Sequence, residues 1–289
     1  HQMHNLQNEQ LMFLDPTTLC DLDIEGLMPT PVDDEFISSS GILPCPEDVA
    51  AKSLTAGSNI HSRVFSAAVR PPRSTTEQLT DCVHLKDPVL RLASLRNRFH
   101  HLKYMLDTDP PAYRLWLPRA HSTVPEEYLD VTDFQREAIR ANIHVTHLWL
   151  QILLLDEIDT LVSKEQSSTP APQGSINSSI ISRASHPAPD PMSWDKREYI
   201  CEQLLHFLHS MSHSGLEPNG ISIVYKVRDV AVSLLSCPDD LTKQRTQRAR
   251  TYLQEFSRLL SILDVSKEIN SLSLQSWIDI SRDKYIILQ

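Results

Sequence analysis

The sequence predicts an all-α protein, an irregular multi-helix bundle around a long central helix with proline-rich loops, and three observations carry that expectation. Apolar residues recur at steps of three and four through Phe134, Ala138, Ala141, Val145, Leu148, Ile152, Leu155 and Val162, interrupted only at Asp159. A second row, Ile143, Leu150, Leu154, Ile158 and Leu161, runs beside the first, so this helix needs covering on more than one side. No alternating pattern of useful strand length occurs, and the two segments that come nearest, 221–225 and 285–288, are short. Nineteen prolines and only six glycines leave the turns to Pro, Asp, Asn and Ser, which suits helices joined by stiff loops.

Taken in order, residues 15–48 read as a loop region, because Pro16, Pro29, Pro31, Pro44 and Pro46 forbid a long helix. A helix over about Glu47–Val69 follows. The next spans about Asp87–Leu106, with Leu90, Leu95, Phe99, Leu102 and Leu106 as its inward face and Asp109-Pro110-Pro111 as its stop. The central helix starts at a cap, Asp130 or Thr132, and reaches Val162, roughly 45 Å at 1.5 Å per residue. It is not expected to cross a membrane: the unbroken apolar run Ile152–Leu155 is far too short, and His144, His147, Gln151, Asp156 and Glu157 flank it. Residues 166–192, rich in Ser and Pro, hold too few large apolar groups to offset their ordering entropy and read as a disordered linker. Beyond it, Ser193 caps a helix to about Ser214 with Ile200, Leu204, Phe207, Leu208 and Met211 inward and Gly215 as stop. A second helix, about Asn219–Ser236, carries Val224, Val227, Ala231, Leu234 and Leu235. A third, about Asp239–Leu263, turns Ala249, Leu253, Phe256, Leu260 and Leu263 inward.

Two words in the chain bear on function. Residues 142–151 of the central helix read Asn-Ile-His-Val-Thr-His-Leu-Trp-Leu-Gln, and residues 21–37 read Asp-Leu-Asp-Ile-Glu-Gly-Leu-Met-Pro-Thr-Pro-Val-Asp-Asp-Glu-Phe-Ile. Both resemble, in the same order, the regulatory region of fungal zinc binuclear-cluster transcription factors, also called the fungal-specific transcription factor domain or middle homology region. The intervening Ser53–Phe65 looks like that family's next helix, so the likeness covers roughly residues 10–165 and fades beyond. The words are scaffold words, and none is catalytic. The resemblance implies two helical parts of one regulatory region, 1–165 and 193–289, joined by the linker 166–192. It also implies a nuclear protein that controls transcription in response to a small-molecule inducer or to co-regulator proteins.

The six-cysteine cluster of that family, its basic linker and its dimerising coiled coil are all missing, as are the helices that usually precede the Pro-Val-Asp-Asp-Glu word. DNA is therefore expected as a partner only through a missing module, and zinc only there; no cofactor is expected in this chain. A chain that opens at His1 without an initiator Met reads as a piece of a longer product, truncated at the N-terminus relative to the family. Its net charge of −10 agrees, since affinity for phosphates comes mainly from clustered Lys and Arg. The five cysteines, Cys20, Cys45, Cys82, Cys201 and Cys237, are scattered and never form a Cys-x-x-Cys pair, which reads as free thiols in a reducing compartment.

Other clusters have plainer explanations. Glu202, His206, His209 and His213 share one helix face, yet a single straight helix cannot close a tetrahedral metal site. Lys243, Arg245, Arg248 and Arg250 point in several directions and are balanced by acids elsewhere, so they read as a solvated face. Asp33-Asp34-Glu35 invites comparison with the metal-binding Asp-Asp-x-x-Asp word of isoprenoid synthases, but position 37 is Ile and the word sits in a proline-rich loop; capping of the next short helix is the expectation. No nucleophile elbow, phosphate loop, dinucleotide fingerprint or His-Glu-x-x-His helix occurs, and neither enzymatic activity nor a catalytic or metal-binding residue is expected. One site is put forward: a cavity beside the central helix in which Trp149 supplies an aromatic wall and His144 and His147 polar groups. The alternative is a helical scaffold that binds only proteins.

Overall fold

A computed structural model describes residues 24–69, 87–114, 131–168, 191–236 and 243–263. Over these residues the protein is all-α. The helices are α1 (Ile24–Leu27), α2 (Glu47–Ala50), α3 (Leu54–Val69), α4 (Pro88–Tyr104), α5 (Val131–Ser168), α6 (Pro191–Ser210), α7 (His213–Leu216), α8 (Gly220–Ser233) and α9 (Lys243–Leu263), with short 3-10 turns between several of them. The described residues include one sheet, a hairpin of β1 (Ile37–Ser38) and β2 (Gly41–Ile42) in which Ile37 faces Ile42 and Gly41 takes φ 125°. No described helix is long and apolar enough to cross a membrane. The chain divides into two compact units: residues 1–122 with 150–194, and residues 123–149 with 195–289.

The expected helix 47–69 is two helices. Ala51–Ser53 breaks it, because Ser53 acts as a cap: its hydroxyl donates to Ala50 O at 2.8 Å and accepts from Ala56 N at 3.0 Å. The two N–H groups before Ala56 are taken by Asp33, whose Oδ1 accepts from Leu54 N at 2.8 Å and Thr55 N at 3.5 Å. Asp33 therefore caps a distant helix. Its side chain makes no bond to the short Asp34–Phe36 turn beside it, which corrects the expectation that the acidic word caps its own neighbour. Two further bonds dock the same loop on α3: Thr55 Oγ1 donates to Val32 O at 2.8 Å and Asn59 Nδ2 to Pro29 O at 2.8 Å.

In this first unit α3 packs on α4, whose first turn is capped by Asp87 accepting from Val89 N at 2.9 Å with Pro88 at the first helical position. The inward face of α4 and the 3-10 turn after it runs Leu92, Leu95, Phe99, Leu102 and Leu106, alternating steps of three and four. Leu90, expected inward, is 42% exposed, because it stands five residues from Leu95 and off that line. Tyr113 is buried and ties the stop after α4 to the break before α3, donating to Ser53 O at 2.6 Å.

The central helix α5 has 38 residues, about 57 Å at 1.5 Å per residue, longer than expected because Ser163–Ser168 continue it past the last apolar row. Both rows are covered: Ala141, Ile143–Ile152, Leu154, Leu155, Ile158 and Leu161 are all buried. Thr132 lies inside the helix and is not its cap; Asp130 falls outside the described residues. Of the expected linker, residues 166–168 and 191–192 are helical and 169–190 lie outside the described residues, as do 1–23, Cys82, and the segments 237–242 and 264–289 that carry Cys237, the start read at Asp239, and Tyr285.

Ser193 is not a cap either: α6 begins at Pro191, and the Ser193 hydroxyl donates to Asp159 Oδ2 at 2.7 Å. In the second unit α6 ends at Ser210, short of the expected Ser214. Ser212 breaks the run, donating to Glu137 Oε2 at 2.7 Å and accepting from Gly215 N at 3.0 Å, so it caps α7 and Gly215 falls inside a helix. Helix α8 packs on α9. The basic run on α9 meets acids of α6: Arg245 pairs with Asp195 at 3.1 Å and Arg248 with Glu198 at 2.6 Å.

Candidate functional site

A line of three side chains in the N-terminal half of α5 meets α8 inside the second unit. Asn142, Thr146 and Trp149 are spaced by four and three and so form one line, and Lys226 and Asp229, three apart on α8, form the facing line. Lys226 Nζ donates to Asn142 Oδ1 at 3.0 Å and to Thr146 Oγ1 at 2.8 Å, and stands 6.0 Å from the centre of the Trp149 ring. Trp149 Nε1 donates to Asp229 Oδ2 at 3.1 Å. One turn earlier Asn219 Nδ2 donates to Ala138 O at 2.9 Å.

The electrostatics of this seam centre on Lys226. Burial removes water from its ammonium, and its acceptors are neutral oxygens, so the pKa falls from 10.5 to about 8. The indole face contributes a weak attraction for the charge. Such a group fixes the register of α8 on α5, since sliding either helix by one residue breaks all three bonds. It also holds a proton that leaves within two units of neutrality, a property ordinary surface lysines lack.

Of the three residues read as a cavity wall, Trp149 belongs to the seam and is 8% exposed. His144 is 1% exposed, packed against the Phe207 ring at 5.1 Å, and His147 is buried at 7%. The structure thus brings Trp149 into a polar network and puts His144 in the aromatic core. Asn142, Lys226 and Asp229 join the site without standing out in the sequence as site residues. Their signal was present in the sequence: a polar line at helical spacing beside the apolar rows, ending in an indole that carries one donor.

Elsewhere, Cys201 is shielded and His209 is paired. Cys201 is fully buried beside Val230 O and Ser233, and burial pushes its thiol up to about 12. His209 pairs with Glu255 at 3.0 Å, and Glu255 is held below the usual carboxylate range first by Arg258 and then by His209. Among the described residues no group of three His, Cys, Asp or Glu stands close enough to hold a metal ion. A cavity of about 470 Å³ opens in the first unit, where α3 and α4 supply its lining.

These features define an all-α protein whose longest helix carries a buried, lysine-centred polar seam. Set beside known protein families, curated proteins and solved structures, the chain matches none of them.

Proposed function

We propose that this chain is the regulatory region of a fungal zinc binuclear-cluster transcription factor, acting in the nucleus and reaching DNA only through a zinc-bearing module outside it. The reading makes the chain a controller and not an enzyme. A metabolite or co-regulator protein bound to it shifts the balance between active and inactive forms, and can do so only by binding the two forms with different affinities. The observation that carries the reading is the work done by the two family-like words. Pro29, Val32 and Asp33 dock on α3 and cap it, and Ile143–Gln151 of the second word forms the buried middle of α5, as scaffold words should. In this reading an effector is sensed where α5 carries His144, His147 and Trp149.

Two experiments test it together. The complete transcript should encode a six-cysteine cluster upstream of His1, and the chain fused to a heterologous DNA-binding module should change reporter output. A complete transcript without the cluster, or a fusion with no effect on transcription, overturns the reading. A second reading, a helical scaffold that binds only proteins, is favoured by the hairpin, whose paired Ile37 and Ile42 are each 56% exposed. Reporter output that responds to co-regulator proteins and to no small molecule would favour it.

A further inference from the structure

The cavity in the first unit is built from two helices and the turn that follows the second. Helix α3 contributes Arg63, Ser66 and Ala67; α4 and its 3-10 extension contribute His100, His101, Tyr104, Met105 and Thr108. Its volume, about 470 Å³, falls within the range of small-molecule sites, roughly 300–1,000 Å³. Among the described residues that line it, none is acidic, in a chain of net charge −10. The nearest acid to Arg63 is Asp109, which stands 4.0 Å away and outside the lining.

Arg63 is incompletely engaged. Its Nε is buried without a hydrogen-bond partner, and its Nη1 stands 4.0 Å from Asp109 Oδ1, beyond hydrogen-bond reach. Asp109 is itself divided: its Oδ2 is also buried without a partner, and burial raises its carboxyl against the pull of Arg63 and Arg114. A guanidinium offers five donors in a flat fork, and this one lines the cavity with no hydrogen bond to Asp109 and a side chain that is 41% exposed. Around it the His100 and His101 imidazoles and the Ser66 and Thr108 hydroxyls supply further donors. Tyr104 supplies a flat wall: its ring meets His100 edge to face at 5.0 Å and is 48% exposed, while Lys103 Nζ stands 5.0 Å from its centre. Ala67 and Met105 make the apolar remainder.

We infer that this cavity binds a small planar organic anion, with its carboxylate or phosphate head on Arg63 and His100 and its ring against Tyr104. The head completes the fork that Asp109 leaves open. The ring covers aromatic surface that the fold leaves in water. The site lies in a different unit from the Lys226 seam, and the inference stands without the regulatory reading.

The test is calorimetric titration of the whole 289-residue chain with benzoate, phenyl phosphate and, as the uncharged ring control, benzyl alcohol. Ligands of this size in an open site should bind with Kd on the order of 1 mM, and benzyl alcohol at least about tenfold more weakly than the better anion. Tighter benzoate assigns a carboxylate head and tighter phenyl phosphate a phosphate head; both support the site. Arg63→Gln should weaken the anions about tenfold and His100→Gln about threefold, whereas Tyr104→Ala should weaken all three probes. His100 and Tyr104 are exposed, so their variants should melt with the parent even if Arg63→Gln unfolds. No detectable binding of either anion overturns the inference. So does benzyl alcohol binding as well as the anions, or anion affinity unchanged in His100→Gln and Tyr104→Ala.

Discussion

Replacing Lys226 with Met isolates the cost of a buried ammonium. The folded chain gives up the Lys226 proton near pH 8 and the unfolded chain near 10.5. At about 1.36 kcal/mol per pH unit that lowering corresponds to about 3 kcal/mol, and water reaching the half-buried side chain trims it toward about 2. The sign follows from proton counts. Between pH 8 and 10.5 the unfolded state binds more protons, so stability rises with pH through that window. The penalty is fully present below pH 8 and gone above 10.5. Met carries no such penalty, but it removes the bonds to Asn142 Oδ1, which keeps the Thr146 hydroxyl as a donor at 3.3 Å, and to Thr146 Oγ1, at about 1 kcal/mol each. At about pH 7 the variant should match the parent within about 1 kcal/mol, and at about pH 10 it should be about 2 kcal/mol less stable. Urea unfolding of both proteins, followed by circular dichroism across that range, measures the difference, in which all other titrations cancel. A difference constant within about 0.5 kcal/mol refutes the account of Lys226 as a desolvated cation.

Asp33→Ala should cost about 1–2 kcal/mol in the same urea assay, because two N–H groups at the start of α3 lose their acceptor, while Asp33→Asn should recover most of it. Trp149→Phe keeps an aromatic ring and removes the donor to Asp229, for a loss of about 1–2 kcal/mol, whereas Trp149→Ala should cost about 3–5 kcal/mol; a Phe variant as stable as the parent would show that the bond to Asp229 contributes nothing. Arg248→Ala should change stability by less than about 1 kcal/mol despite two contacts with Glu198, since the arginine is exposed; a larger loss would mark α9 as dependent on that pair. Cys201 should resist alkylation until the chain unfolds, as read by peptide mass mapping; native-state labelling would contradict its burial.

Long-period features were legible in the sequence, and local interruptions were not. The two apolar rows of α5 needed only a count of spacing, and all their members are buried except Phe134 and Val162 at the ends of the first row, which are half-buried. The breaks at Ser53 and Ser212 were missed because a Ser inside an apolar-periodic run looks like any polar position until its hydroxyl finds a backbone partner. Asp33 was read correctly as a capping residue and assigned to the wrong helix. Proximity in sequence suggested the short turn after it, whereas the free N–H groups that most needed an acceptor belonged to α3. At the candidate site the sequence points to the ring of Trp149, whereas its function in the fold runs through its N–H to Asp229. That partner lies 80 residues away, beyond any local pattern.

The separations along the chain also set an order of assembly. The bonds that dock the 29–33 loop on α3 join residues 21 to 30 apart, whereas those of the seam join residues 80 to 84 apart. At a synthesis rate of roughly 5–20 residues per second, the first set can close within about 1–6 seconds of its first member leaving the ribosome. The Asn142–Gln151 stretch must wait roughly 4–17 seconds for Lys226 and Asp229 to appear. During that interval the buried middle of α5 is made but lacks α8, and this nascent surface is what a chaperone working on the chain would meet.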